Sequence, residues 1–386
     1  MKYLPIEQQR SSILKFFIVL ILLFSISTNL ISCSKEKEEG KFISSSEVLV
    51  DQLNHYYNWE TGLWETTSWW NGANILTALI KNGKQRKDAS IIEIIENTFA
   101  KTKRFDVPGT DKSEAWTCEN YINDYYDDEG WWALAWLDAW ELTDDPKYLK
   151  MSQTIFSDIT LGWNDTCDGG ILWKKGLKYK STISNELTMV LAARLHLADT
   201  KPINGKSCLQ WAESIWSWIL SSKLMNDNNQ IQDGIREIDG DCGINERVWT
   251  YNQGVILSGL VYLDKINKNS PYLEYAHKIA SAVIEHMTNR NGILMEVICE
   301  PGNCDADQEQ FKGIYIRHLA KLNEYDEKKE YSQFLLRNAE SIHKISMING
   351  TIAPGVSWSK NSERQTAATA SSALDAMNAV LNILTD

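Results

Sequence analysis

Four acids crowd six residues of this chain: Asp124, Asp127, Asp128 and Glu129 lie within Tyr121-Ile122-Asn123-Asp124-Tyr125-Tyr126-Asp127-Asp128-Glu129-Gly130-Trp131-Trp132, at the mouth of an apolar helical stretch. A carboxylate before a helix satisfies unpaired N–H groups and the helix dipole, and one acid is enough for that. Asp127 and Asp128, adjacent and followed by a third acid, add repulsion and desolvation that a cap does not require. Carboxyls so close cannot all ionise freely, so a proton is held by the pair, which titrates as a unit. One protonated acid beside one ionised partner is the arrangement that glycosidic bond cleavage uses. The 16 Trp, 15 Tyr and 9 Phe supply flat apolar faces that suit both core layers and stacking on sugar rings.

The elements that must position this cluster recur. Six apolar helical stretches, Trp69–Ile80, Trp131–Thr143, Glu186–Thr200, Asn252–Ile266, Phe311–Tyr325 and Thr366–Leu384, start 55 to 66 residues apart. Between them lie six amphipathic stretches with one charged face: Ser45–Tyr57, Asp88–Arg104, Asp145–Thr160, Lys206–Leu224, Pro271–Thr288 and Lys328–Ser346. Helices apolar nearly all round pack on two sides, whereas those with a charged stripe face water. The alternation predicts an all-α fold, an (α/α)6 barrel of six inner and six outer helices, with an open superhelical array of hairpins as the alternative. Asp144-Asp145-Pro146 and Ser270-Pro271 mark outer-helix starts. The long connections 104–123, 161–185, 225–251 and 289–310 all precede inner stretches, so binding chemistry is expected on that one rim.

The 386 residues are 43% apolar and 23% charged, a globular composition, and a net charge of -12 without a basic stripe excludes a nucleic-acid partner. Residues 1–32 carry Lys2, Arg10 and Lys15, then an apolar run to Ile31, and resemble a lipoprotein signal ending in Leu30-Ile31-Ser32-Cys33. Cys33 is the expected lipidation site, 33–43 a flexible tether, and 44–386 a single catalytic barrel. An outer-membrane location, at the cell surface or the periplasmic face, is expected, with the lipid the sole membrane contact and the protein monomeric. Six further cysteines permit disulfides in an exported chain; Cys299-Glu300-Pro301-Gly302-Asn303-Cys304 is the best local pair. No metal site is expected, because the six His are dispersed and Asp227-Asn228-Asn229 and Asp239-Gly240-Asp241 read as turns, not as a calcium loop.

Tyr126-Asp127-Asp128-x-x-Trp131 resembles the Asp-Asp motif of glycoside hydrolase family 76, the endo-α-1,6-mannanase family, whose fold is an (α/α)6 barrel. Trp69-Trp70-Asn71-Gly72-Ala73-Asn74, Gly169-Gly170-Ile171-Leu172-Trp173, Asn185-Glu186-Leu187, Trp249-Thr250-Tyr251-Asn252-Gln253-Gly254 and Gln310-Phe311-Lys312-Gly313 resemble its barrel-mouth segments in order. The resemblance implies a cofactor-free retaining hydrolase acting on internal α-1,6 bonds of mannan, with Asp127 as nucleophile and Asp128 as general acid and base. Asp124 is expected to orient the site or bind a hydroxyl, and Glu129 to cap the helix. Asn74, Asn123, Asn185, Tyr251, Asn252 and Gln253 are expected to hydrogen-bond sugar, Trp70, Trp173 and Phe311 to stack on it, and Glu186 and Lys312 to contact hydroxyls or compensate each other. The alternatives are a transglycosylase of the same family and a non-catalytic mannan-binding lipoprotein. An isoprenoid synthase, which also pairs acids on helices, would need a second acidic metal motif, and none is evident.

Overall fold

The computed structural model describes residues 38–107, 116–302, 304–347, 355–360 and 364–385. Residues 1–37, including Cys33, lie outside them. Six inner helices, α2 (Trp69–Arg86), α4 (Tyr126–Thr143), α6 (Thr182–Leu197), α8 (Thr250–Ile266), α10 (Gln308–Tyr325) and α12 (Ala367–Thr385), alternate with outer helices α1 (38–56), α3 (Ile91–Thr102), α5 (Pro146–Ile159), α7 (Cys208–Ser221), α9 (Tyr272–His286) and α11 (Lys329–Met347). Each inner helix packs on the next, and α12 packs on α2, so the ring is closed. Asn82 and Asn378 seal the seam: the Asn82 amide donates to Asn378 Oδ1 at 2.8 Å, and Asn378 donates to the Ala78 carbonyl at 2.9 Å. The open superhelical alternative is thereby excluded.

Two glycines let inner helices approach closely. A Cβ on Gly254 would lie 2.6 Å from Tyr315 Cα, and one on Gly313 would lie 2.5 Å from Ser372 Cα. Both are barred by backbone rather than by a side chain that could move. Asp145 caps α5 through the Lys147 N–H at 3.0 Å with Pro146 at the first helical position, as the sequence suggests. At α9, Pro271 is itself the cap residue.

Three corrections concern boundaries and local structure. The expected tether at 33–43 includes the first turns of α1, because Phe42 is fully buried in the core and pins them. The inner helices α4, α6, α8 and α10 begin two to five residues before the corresponding apolar stretches, since their opening turns carry polar groups that apolar periodicity does not register. The all-α frame also carries small antiparallel sheets on the functional rim. These pair β1 (Tyr57–Asn58) with β2 (Leu63–Trp64), β3 (Arg104–Val107) with β4 (Trp116–Glu119), and β5 (Tyr179–Ser181) with β6 (Gly234–Ile238) and β7 (Asp241–Asn245) in the order β5-β6-β7. Asp239 and Gly240, at φ 53° and 93°, form the tight turn between β6 and β7. Among the described residues there are two disulfides: the expected Cys299–Cys304, and Cys167–Cys242, which ties the 161–185 connection to the β6–β7 hairpin. Cys118 and Cys208 are buried thiols.

Candidate active site

Asp127 and Asp128 occupy the first turn of α4, not a turn ahead of it, so the helix N-terminus itself presents them at the barrel mouth. The 161–185 connection secures that turn. The Trp173 carbonyl accepts from Tyr126 N–H at 3.0 Å, capping α4, and the Trp173 indole donates to Asp127 Oδ2 at 2.9 Å. Asp127 Oδ1 accepts the Asp128 N–H at 3.1 Å, so both oxygens of this carboxyl are held by donors. Asp128 is held differently. Asn123 accepts the Tyr125 N–H through Oδ1 at 2.9 Å, which orients its amide to donate to Asp128 Oδ2 at 2.9 Å. The other oxygen of Asp128, Oδ1, is thereby the one placed to carry a proton.

Burial pushes the Asp127 carboxyl up to about 7 against the opposing effect of the Trp173 indole. The same desolvation, plus the neighbouring charge of Asp127, holds Asp128 well above the ordinary carboxyl range. The environment thus separates the two: Asp127 is the one that ionises first, and Asp128 the one that keeps its proton. Asp307, the residue capping α10 across the mouth, adds to the upward push on both. Its Oδ1 accepts the Trp70 indole N–H at 3.2 Å. Asp307 was not among the residues expected at the site, although acids precede the Gln310-Phe311 segment in the sequence. Nor was Asp233, which accepts Tyr179 O–H at 2.6 Å and Asn245 N–H at 2.7 Å beside the cleft.

Aromatic side chains wall the mouth. Trp70 stacks on Trp131 with ring centroids 6.0 Å apart, and Tyr251 lies flat on Phe311 at 3.9 Å and 7°. Tyr251 stands within electrostatic range of Asp127 and Glu186. Glu186 is fully buried with both carboxyl oxygens unpaired, and desolvation keeps it protonated far above its usual range. Asn252, equally buried, has both amide atoms unpaired. Trp70, Asn123, Trp173, Glu186, Tyr251 and Phe311 are therefore gathered around or beside the dyad.

Other expected sugar contacts are corrected. Asn185 clamps a loop: its Oδ1 accepts Ile171 N–H at 2.7 Å, and its amide donates to the Ile171 and Ser181 carbonyls at 2.9 and 2.8 Å. Gln253 does the same for Ile231, accepting and donating at 2.7 Å, with a further bond to the Trp249 carbonyl at 3.0 Å. Both amides are spent on peptide groups of apolar pegs that are fully buried. Lys312 is buried in an ion pair with Glu300 at 2.5 Å, over the Trp358 ring. It does not pair with Glu186. Asn74 points its carbonyl oxygen to Arg317 at 2.5 Å, in a chamber below the mouth. Asp124 is exposed, and its backbone carbonyl, not its carboxyl, accepts from Lys175 N–H at 2.8 Å. Glu129, expected to cap the helix, instead accepts Asn123 N–H ahead of α4 and the Lys175 ammonium, both at 3.1 Å, while buried.

Gln253→Ala should lower unfolding free energy by about 2–4 kcal/mol, because it strands a buried N–H and a buried C=O of Ile231. Urea unfolding of the variant checks this; a change within 0.5 kcal/mol (roughly the scatter of neutral surface substitutions) would show that water replaces the clamp.

Among the described residues no cluster of His, Cys, Asp and Glu could hold a metal ion. What the geometry provides is a carboxyl pair held by unequal sets of donors, at an aromatic-walled mouth of a helical barrel. The chain matches the family model for glycosyl hydrolase family 76 over residues 43–386 and belongs to that family. The mannan endo-1,6-alpha-mannosidase of Candida glabrata is 30% identical over 213 residues, 51% of this chain and 46% of that protein, so the chain spans about half the length of that relative. A second such enzyme, from Candida albicans, is 24% identical over 330 residues, 80% of this chain and 71% of that protein. In fold, the chain is similar to an inactive variant of the alpha-1,6-mannanase of Salegentibacter solved in complex with alpha-1,6-mannotriose. That similarity has a TM-score of 0.75 at 23% identity and covers 89% of this chain and 99% of the other.

Proposed function

We propose that this protein hydrolyses internal α-1,6-mannosidic bonds of mannan backbones with retention at the anomeric carbon. The observation that carries the reading is the unequal treatment of the dyad: two donors on Asp127, and one donor plus the higher proton affinity on Asp128. Asp128 gives its proton to the glycosidic oxygen as the C1–O bond breaks, while ionised Asp127 bonds to C1. Water then attacks C1, Asp128 takes its proton, and the bond to Asp127 breaks. Family membership and the names of the relatives support the substrate class. The signal-like segment before Cys33 supports a lipid-anchored location in the outer membrane.

Incubation with unbranched α-1,6-mannan tests the reading. A ladder of intermediate oligosaccharides, with the first product formed as the α-anomer by proton NMR, is the expected result. Mannan bound without release of sugar would favour a binding protein, and products longer than the starting oligosaccharide would favour transglycosylation.

A further inference from the structure

One short segment holds both carboxyls of the dyad, each by a different route. Lys174 pairs with Tyr125 in an isolated antiparallel bridge, which lays residues 173–175 along the chain that leads into α4. On one side of that bridge Trp173 reaches Asp127 directly through its indole. On the other, Lys175 reaches Asp128 through two intermediates.

The second route is hydrogen-bonded at every step. The Lys175 ammonium donates to Glu129 Oε1 at 3.1 Å, and the same oxygen accepts Asn123 N–H at 3.1 Å. The Asn123 amide in turn donates to Asp128 Oδ2 at 2.9 Å. Asn123 joins the route by its peptide and leaves it by its side chain, so a shift of that peptide carries the donor on Asp128 with it. Lys175 is itself fixed at both ends: its N–H donates to the Asp124 carbonyl at 2.8 Å, and its ammonium lies 2.7 Å from Asp158 of α5.

Glu129 is costly to bury. It is fully buried with Oε2 unpartnered, and desolvation holds its carboxyl well above the usual range. A proton on Oε2 leaves Oε1 free to accept, so the contact to Asn123 persists in either form. The route therefore needs an oxygen at that reach rather than a charge. Asp128 is faced by Asp127 on its own helix, by Asp307 across the mouth and by the Cys118 thiol of β4. Glu129 is faced by Lys175, Asp158, Tyr126 and the same thiol.

We propose that Glu129, pinned by Lys175, is a positioning residue for Asp128: through Asn123 it fixes which oxygen of Asp128 carries the proton and where that oxygen points. The inference rests on Asp128 being the acid of the proposed hydrolysis. Trp173 then serves the nucleophile, and Lys175, two residues on, serves the acid.

Two conservative variants separate reach from charge. Glu129→Asp keeps the charge and withdraws the oxygen by one methylene, whereas Glu129→Gln keeps the oxygen and removes the charge. In Glu129→Asp the descending limb of kcat/KM should move up by roughly one pH unit, because Asp128 loses a donor that favours its ionised form, while kcat falls about tenfold through lost aim. Glu129→Gln should leave both in place. Lys175→Met, which leaves α4 intact if the first variant fails to fold, should move the limb the same way and less far. Carbon-13 NMR of aspartate-labelled protein, with Asp128→Asn to assign the signal, follows the same carboxyl independently of activity. A shifted NMR titration beside an unmoved kinetic limb would uphold the route and count against Asp128 as the acid. A limb that moves in Glu129→Gln and not in Glu129→Asp would overturn the proposal in favour of a charge effect. It would also fall if Glu129→Asp lowered Tm with limb and NMR titration unmoved, the mark of a role in stability alone, or if Lys175→Met left the titration of Asp128 unchanged.

Discussion

Asp127→Asn and Asp128→Asn should each lower kcat on unbranched α-1,6-mannan by about 10³–10⁵-fold while leaving KM within a few-fold. An amide at 127 cannot bond to C1, and one at 128 has no proton to give the leaving oxygen. Azide distinguishes the two roles on an activated aryl α-1,6-mannobioside. In Asp128→Ala it should intercept the sugar bound to Asp127 and yield the α-mannosyl azide. In Asp127→Ala it should replace the nucleophile and yield the β-azide. Swapped products would reverse the roles, and activity within tenfold of wild type in either Asn variant would remove the dyad from the chemistry. Neither substitution removes a core side chain, so a folded variant is expected.

On its ascending limb, activity should rise with pH while stability falls. Activity needs Asp127 ionised and Asp128 protonated, so kcat/KM should follow a bell whose ascending limb lies near 7, far above a free carboxyl, because burial has pushed Asp127 to about 7. Asp307→Asn removes a negative charge felt by both carboxyls and should move both limbs down. Trp173→Phe removes a donor to ionised Asp127 and should move the ascending limb up, with about a tenfold loss of kcat. For stability the sign follows from linkage: a carboxyl whose folded pKa exceeds its unfolded one stabilises the fold fully below the unfolded value, and loses that contribution as pH rises through the folded value. Asp127, Asp128, Glu186, Asp375 at about 7 and Glu296 at about 8 are all raised, chiefly by desolvation. Asp128→Asn, which cannot ionise, should therefore melt roughly 2–5 °C above wild type at pH 8 and at the same temperature near pH 4. A variant equally stable or less stable at pH 8 would show that Asp128 ionises without strain. The higher melting temperature expected of Asp128→Asn at pH 8 would be stability that the wild type gives up for a proton placed where the reaction uses it.

Much of this molecule is written locally. The 55–66-residue recurrence of apolar stretches is a property of periodicity, so the twelve helices and their inner and outer ranks were legible without coordinates. So was the dyad, because two adjacent acids before an apolar run conflict with burial unless a task retains them, and so was Cys299–Cys304, where five residues of chain bring the thiols together. Closure of the ring was not legible, since it rests on Asn82 meeting Asn378 across almost the whole chain. Cys167–Cys242 spans 75 residues and depended on the pairing of two loops. The division of polar residues was also decided by the tertiary structure. Asn185, Gln253 and Lys312 all carry N–H donors, as Asn123 and Trp173 do, and an amide or ammonium donor fits a peptide carbonyl or a carboxylate as well as a sugar. Only the packed loops place Ile171, Ile231 and Glu300 within reach of the first three, and the carboxyls of Asp128 and Asp127 within reach of the other two.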